Sequence, residues 1–268
     1  MSDEIRSYCE EVYEKMITLR RDIHKHPEAA CLEYRTASIV IQTLRDLGYE
    51  VHYGPEAMNL KVVKNILPTE AEANGAIGRA ISEGADPKLV EAMKYNLTAV
   101  VGVLHCGEGP VIGLRADMDA LNVIENQSPE HIPNREGFAS IHPKVSHACG
   151  HDAHTAIGLA VAAVMRRLAD EGKIHGTLNL FFQPGEEATI GGLAMCEAGV
   201  ADDIDYLLAI HMGVGTKKTG QIGATAVDFP SLQKYAIHYE GLTSHSGVAP
   251  EKGKNALMAA CHAILGIY

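Results

Sequence analysis

Short apolar runs alternate with helical segments between residues 97 and 212, and this alternation constrains the fold more than any other feature of the sequence. The runs are LTAVVGVLH, PVIGLRADMDAL, TLNLFFQP and DYLLAIHM, and each is long enough for one buried strand. A helix with small residues on its packing face is predicted at 152–170, between the second and third runs. Alternating strands and helices predict an α/β fold whose mostly parallel sheet is sandwiched by helices.

The local pattern predicts further elements. Only CGEG separates the first two runs, which predicts a hairpin of two buried strands, and DYLLAIHM is predicted to be another buried strand. A short helix is predicted at 190–198. Before the runs, the pattern predicts helices at 4–25 and 33–47, a short strand at 51–53, and an inserted helical stretch at 69–95.

The sequence changes character near the stretch GVGTKKTG, where Gly and Lys are frequent and apolar residues are scarce. Beyond it, QIGATAVDF and LQKYAIHYEG are typical of two strands, and NALMAACHAILGIY is typical of a helix. We therefore expect two domains, residues 1–218 with the α/β pattern and residues 219–268 with an α+β pattern.

The composition excludes several classes of protein. The 23 Lys and Arg against 34 Asp and Glu give a net charge of −11, which disfavours nucleic-acid binding. No apolar run is long enough for a membrane span, and the acidic N-terminus is unlike a signal peptide. The six cysteines are scattered without a CxxC pair, which favours a reducing, cytoplasmic location over a disulfide framework.

The densest cluster of chemically active side chains is HACGHDAH at 147–154. Cys149 and His151 are two residues apart, so in an extended segment both side chains point the same way and can reach one metal ion. Thiolate and imidazole are good ligands for first-row metals. A chance clustering of loop histidines is the alternative, but the density of the motif favours a metal site.

Other polar side chains follow the apolar runs, at the edge where α/β folds bind ligands. They are Asp117 and Asp119 in RADMDAL, Glu186 and Glu187 in QPGEE, and His211 in AIHM. Each of these residues also has a purely structural explanation when it is considered alone. The Asp residues could cap a turn, the Glu pair could be solvated at the surface, and His211 could be a hydrogen-bonded histidine of the core. Because the chain contains no GxSxG motif and no P-loop, a metal-activated water is the simplest nucleophile.

RADMDAL, HACGHDAHTA, QPGEE and AIHMG occur in the order and approximate spacing of a known family. The sequence resembles the amidohydrolase branch of the aminoacylase and carboxypeptidase-G metallopeptidases over essentially its whole length. RRDIHKHPEAACLEYRTA, the insertion at 69–95 and REGFAS are similar to the subgroup that hydrolyses p-aminobenzoyl-glutamate. The resemblance implies a zinc-peptidase-like catalytic domain, here 1–218, and a lid or dimerisation domain, here the partial segment 219–268.

The resemblance implies a two-metal site that holds manganese or zinc. Cys149 matches the bridging thiolate, and His151, Glu187 and His211 match further metal ligands. Glu186 matches the general base.

Two more residues match positions with a role in that family. Asp119 matches the acid that orients a ligand, with Asp117 a less certain neighbour. His245 matches a lid histidine that reaches the active site of the partner protomer and stabilises the oxyanion. The resemblance thus implies a homodimer, or a heterodimer with a related B subunit, formed through the lid domain.

Family members are longer than this sequence, which stops at Tyr268. The final metal-ligating histidine of the family has no counterpart here, so we expect a C-terminally truncated chain that could hold fewer than two ions. We also expect exposed apolar surface on the last helix.

The expected activity is hydrolysis of the amide bond of an N-acyl amino acid, with p-aminobenzoyl-glutamate as the first choice. Another small-molecule substrate, such as an N-acetyl amino acid, hippurate or an auxin conjugate, is the main alternative. The second alternative is that the chain is a truncated, non-catalytic fragment that needs a missing C-terminal half.

Overall fold

A computed structural model describes residues 2–63, 67–213, 216, 218–223 and 237–267 of the chain. The chain divides into two compact units, residues 1–214 and 215–268. Among the helices of the described residues, none combines the length and apolar character that crossing a membrane requires.

The predicted elements are largely present. In chain order the helices and strands are α1 (Ser2–Lys25), α2 (Tyr34–Asp46), β1 (Glu50–Tyr53), α3 (Glu70–Ser82), α4 (Pro87–Ala92), β2 (Val100–His105), β3 (Val111–Asp117), α5 (Ile132–Glu136), α6 (His151–Asp170), β4 (Thr177–Gln183), α7 (Gly191–Glu197), β5 (Tyr206–Ala209) and α8 (Ala256–Ile267). The predicted helical insertion is confirmed as α3 and α4. A capping box of Thr69 and Glu72 begins α3, and Asp86 caps α4 ahead of Pro87.

The five strands of the described residues form one mixed sheet in the order β1-β2-β4-β3-β5. β1 pairs with β2, and β2 with β4, in antiparallel fashion. β3 pairs with β4 on one side and with β5 on the other, and both pairings are parallel. The α/β prediction is therefore confirmed, but only the half of the sheet that contains β4, β3 and β5 is parallel.

The predicted hairpin of β2 and β3 is wrong, because β4 lies between them. The residues that enter β4 pass between the ends of the CGEG loop. There the Cys106 N–H donates to the Gly176 carbonyl (2.8 Å) and the Thr177 N–H donates to the Pro110 carbonyl (3.0 Å). Gly176 has φ +89°, and a Cβ at this position would lie 2.3 Å from the Pro110 oxygen. A distant strand thus displaces the local pairing that the short loop suggests.

Helices cover both faces of the sheet, because alternate side chains of β4 enter two different cores. Leu180 and Phe182 are buried in the core that α2 and α6 cover. Phe181 is buried in the opposite core, with Met58 and with Met195 of α7. α1 lies against α6.

β5 differs from its sequence prediction. The apolar pattern predicts a buried strand, but Tyr206, Leu207 and Leu208 are 60–65% exposed. The reason is its place in the fold, since β5 is an edge strand that pairs only with β3 among the described strands. An apolar sequence therefore does not make this strand buried.

The second unit contains a two-residue bridge and a helix. Leu242 and Lys254 exchange backbone hydrogen bonds of 3.0 and 2.9 Å, and α8 follows. Leu257 and Leu265 of α8 are 72% and 76% exposed, so the prediction of exposed apolar surface on this helix is confirmed. The two strands predicted at QIGATAVDF and LQKYAIHYEG fall mainly outside the described residues.

Candidate metal centre

Three strand ends and one helix start meet at one edge of the sheet. β4, β3 and β5 are parallel neighbours, so their carboxyl ends lie side by side. β3 ends at Asp117, β4 leads into the turn that carries Glu186 and Glu187, and His211 follows β5. His151 begins α6 and lies among them, because its ring reaches carboxylates from two of these segments.

His151 is fully buried, and its hydrogen bonds define how it can act. Its Nδ1 lies 3.1 Å from Asp119 Oδ1, and because a carboxylate oxygen can only accept, the Nδ1–H donates this hydrogen bond. Nε2 then carries a lone pair, and this buried atom has no hydrogen-bond partner among the described residues. It lies 3.7 Å from Asp117 Oδ1, 3.9 Å from Glu186 Oε2 and 3.9 Å from Glu187 Oε1.

Asp119 orients two candidate ligands at once. While Oδ1 accepts from His151, Oδ2 accepts the backbone N–H of Glu187 at 3.0 Å. The Asp119 side chain is almost completely buried, so water competes little for these bonds. One carboxylate therefore joins the start of α6 to the turn after β4.

Cys149 and His211 form the more open side of the centre. The His211 Nδ1–H donates to the Met212 carbonyl (2.8 Å), which leaves Nε2 facing Cys149 Sγ at 3.6 Å. Burial raises the pKa of the Cys149 thiol to about 12, and the carboxylates of Glu187 and Glu186 act in the same direction. A thiolate here needs a cation close by.

The electrostatics of the cluster favour positive charge. Burial raises the pKa of Glu186, and the charge of Asp117 acts in the same direction. Burial opposes protonation of His151, but the carboxylates of Asp119 and Asp117 outweigh it and raise the pKa of that imidazole. Several anionic groups thus share a small volume that a cation would stabilise.

His154 belongs to the cluster but is not among the residues that the sequence pattern selects. It lies one turn beyond His151 on α6, with the two rings stacked 5.1 Å apart. Its Nε2 accepts the Met212 N–H at 2.8 Å, and its Nδ1–H donates to Asp117. Both ring nitrogens are thereby engaged. The i, i+3 spacing in HDAH is the signal that could have placed it on the same face as His151.

His147, the first histidine of HACGHDAH, points to a different place. It lines a cavity of about 640 Å³ between α1 and α6, together with Arg20 and Met212. Burial lowers the pKa of His147 to about 4, so the ring is neutral at physiological pH. His147 thus lies beside the metal cluster, and Cys149, which belongs to that cluster, also lines the cavity.

The donor set fits divalent metal ions. Within the described part of the chain, three overlapping groups each bring their ligand atoms within 4.8 Å of one another: Cys149, His151 and His211; Asp117, His151 and His154; and His151, Glu186 and Glu187. All three groups contain His151, whose buried Nε2 has no hydrogen-bond partner among the described residues and faces acceptor oxygens. Thiolate, imidazole and carboxylate together suit first-row divalent ions.

His245 lies in the second unit, and the hydrogen bonds of its ring identify its neutral tautomer. Its Nδ1 accepts the N–H groups of Gly247 (3.2 Å) and Val248 (3.1 Å). The ring proton of the neutral form is therefore on Nε2, which makes that atom a hydrogen-bond donor.

Residues 113–266 match the profile of peptidase family M20/M25/M40. The sequence is 39% identical to indole-3-acetyl-aspartic acid hydrolase of Enterobacter agglomerans and 38% identical to the A subunit of p-aminobenzoyl-glutamate hydrolase of Escherichia coli strain K12. These alignments cover 98% and 99% of this chain. The chain spans about 60% of the length of either relative.

Two solved structures have a similar fold. An aminobenzoyl-glutamate utilization protein of Klebsiella pneumoniae matches with a TM-score of 0.64 and 35% identity, over 79% of this chain and 47% of that one. A dinuclear metal binding peptidase of the M20 family from Bacillus subtilis matches with a TM-score of 0.54 and 27% identity, over 77% and 44% of the two chains.

Proposed function

Because the chain belongs to peptidase family M20/M25/M40, we propose that its first unit is the catalytic unit of a metal-dependent hydrolase of N-acyl amino acids. The observation that carries this proposal is the buried Nε2 of His151, which has no hydrogen-bond partner among the described residues and faces the carboxylates of Glu186 and Glu187. A buried acceptor that faces carboxylate oxygens is unfavourable unless a proton or a metal cation lies between them, and the neighbouring thiol and imidazole groups suit a metal cation.

We propose that Cys149, His151, Glu187 and His211 would hold the metal ions of a two-metal site, with Cys149 as the thiolate ligand. Manganese or zinc is the proposed metal, since both accept imidazole and carboxylate ligands. When bound, the metal supplies Lewis-acid activation of water and of the scissile carbonyl.

Three residues of the chain are given separate roles in the proposed reaction. Glu186 is proposed to take the proton from the attacking water and to pass it to the leaving amine. Asp119 holds the His151 tautomer that leaves Nε2 available. His245 is proposed to donate from Nε2 to the oxyanion in the active site of a partner protomer.

The proposed substrate is p-aminobenzoyl-glutamate, which is cleaved to p-aminobenzoate and glutamate. Support comes from the relative whose name includes this compound. The other relative is named for indole-3-acetyl-aspartic acid, so an auxin conjugate is the second candidate. In both of these compounds, an acyl group that carries an aromatic ring is joined to an acidic amino acid. Turnover of a small panel, with N-acetyl amino acids and hippurate included, would rank these substrates.

The neighbours Glu186 and Glu187 provide a matched pair of variants. E186Q should reduce turnover by several orders of magnitude while metal content stays unchanged, because only the base is lost. E187Q should reduce metal content as well, because a ligand is lost. Full turnover in E186Q with metal bound would contradict the assignment of the base.

We further propose that the protein works in the cytoplasm, where its cysteines stay reduced. All six are free thiols in the described structure. Residues 219–268 are proposed to form part of a lid that dimerises, either with a second copy or with a related B subunit. The E. coli relative supports this arrangement, because its name identifies it as one of the subunits of its enzyme. Sedimentation of the chain alone and with a candidate partner would test it.

A further inference from the structure

The segment Cys31–Glu33, which precedes α2, contacts the turn that carries Glu186 and Glu187. Glu33 is fully buried, and its Oε1 accepts the N–H groups of Cys31 and Gly185, both at 2.8 Å. Its Oε2 accepts the Thr98 hydroxyl at 2.7 Å. Gly185 directly precedes Glu186, so Glu33 holds the backbone at the base of the turn.

The same segment also restricts the turn by packing. Gly185 has φ +57°, and a Cβ on it would lie 2.8 Å from Cys31 Sγ. Cys31 is itself buried and has a left-handed backbone with φ 59°, which is unusual for a residue other than glycine. Its N–H is the one that Glu33 accepts, so one carboxylate stabilises both sides of this contact.

Two buried carboxylates thus hold alternate N–H groups of one short turn. Glu33 accepts from Gly185, and Asp119 accepts from Glu187. We propose that Glu33 is a positioning residue for the metal centre, which fixes the turn so that Glu187 reaches the metal and Glu186 reaches the water. This inference rests on the proposed function of the two glutamates.

What the turn needs from Glu33 is length and acceptor oxygens. Burial and the nearby charge of Asp119 raise the pKa of Glu33, so the negative charge is not favoured by its surroundings. Gln at this position can keep its carbonyl oxygen on the N–H groups of Cys31 and Gly185 and donate from its amide to the Thr98 hydroxyl. Asp keeps the charge but is one methylene too short to reach Gly185 and Thr98 together.

Glu28 provides a matched control. It is also a buried carboxylate, and its two oxygens accept the backbone N–H groups of Arg35 (2.9 Å) and Thr36 (2.8 Å). Those bonds hold the start of α2 and do not involve the turn. E28D should therefore reduce stability, as E33D does, without moving Glu186 or Glu187.

The experiment measures Mn²⁺ affinity by calorimetry, and amide hydrogen exchange of the peptide that contains Gly185, in the full chain and its variants. For E33D we expect about 10- to 100-fold weaker Mn²⁺ binding, the usual effect of losing an outer partner of a ligand, and faster exchange in the turn. For E33Q and E28D we expect Mn²⁺ affinity within about threefold of the wild type.

Two failures are distinguishable. In the first, E33D and E28D lose equal stability, but both variants keep the Mn²⁺ affinity of the wild type and its rate of amide exchange in the turn. Glu33 would then be only structural, and the inference would be overturned. If the wild-type chain binds no Mn²⁺, or if C149S and H151A bind it equally well, the proposed metal centre is wrong. In that case, faster amide exchange in the turn of E33D, but not in that of E28D, would still establish that Glu33 restrains the turn.

Discussion

Replacing Asp119 with Asn tests how the metal centre is organised, because this side chain has two different acceptor contacts. One oxygen accepts the His151 Nδ1–H at 3.1 Å and the other accepts the Glu187 N–H at 3.0 Å. Asn keeps the size but has only one acceptor oxygen. If the oxygen faces His151, the NH₂ group meets the Glu187 N–H, donor against donor. If the amide is flipped, His151 must move its proton to Nε2, where it blocks metal binding.

The first orientation leaves the buried Glu187 N–H without an acceptor, which costs about 1–3 kcal/mol. The flipped orientation keeps that bond but removes the Nε2 lone pair that would bind the metal. The loss of an outer partner of a metal ligand weakens metal binding by about 10- to 100-fold. That loss corresponds to about 1.4–2.8 kcal/mol. The two figures agree, so we expect D119N to weaken metal binding by one to two orders of magnitude.

The assay is calorimetric titration of the full chain and of D119N with Mn²⁺, with D152N as the matched control. Asp152 is also a buried aspartate of this region, but its Oδ2 accepts from Arg20 (2.9 Å) and contacts His24 (2.9 Å) instead of a candidate ligand. D152N should lower the melting temperature and bind Mn²⁺ almost normally. Equal Mn²⁺ affinity in D119N and the wild type would refute the role given to Asp119.

Two further predictions concern stability. Burial opposes the charge of His24, but Asp152 and Glu125 outweigh it and raise its pKa, so its contribution is complete below the unfolded-state pKa and is lost as the pH rises through the folded-state pKa. The difference in urea midpoint between the wild type and H24Q should therefore be larger at about pH 6 than at about pH 9, and a constant difference would contradict this. G158A should destabilise the protein by about 1–2 kcal/mol in urea unfolding although Ala favours helices, because the new Cβ would lie 2.9 Å from the Phe182 ring. A higher unfolding midpoint in G158A would show that α6 does not pack this closely on β4.

The sequence predicts the parts of the fold that depend on local pattern. Helical and strand periodicity predicts α1, α2, α6, β1 and β4 to within two residues. The pairing of β2 with β4 is missed because it depends on contacts between distant segments, while the short CGEG loop suggests a hairpin. The exposure of β5 is missed because composition does not tell whether a strand lies at the edge of a sheet.

In the candidate site, too, local sequence pattern predicts some residues, whereas others depend on contacts between distant segments. Polar residues after apolar runs are sufficient to select Glu187 and His211, since parallel strand ends meet at one edge. His245 is selected only through the family resemblance, and its contact with any site stays a prediction. Glu33 has no local signal, because its partner Gly185 lies far away in the sequence and only the folded chain brings them together.

Cobalt binding tests the central claim most directly, namely that Cys149, His151, Glu187 and His211 hold a metal ion together. Thiolate ligation of Co²⁺ gives an intense sulfur-to-metal charge-transfer absorption, whereas oxygen and nitrogen ligands do not. We expect this band when Co²⁺ is added to the wild-type chain, its loss in C149S, and weaker Co²⁺ binding in H211A. Identical spectra for the wild type and C149S would contradict the account.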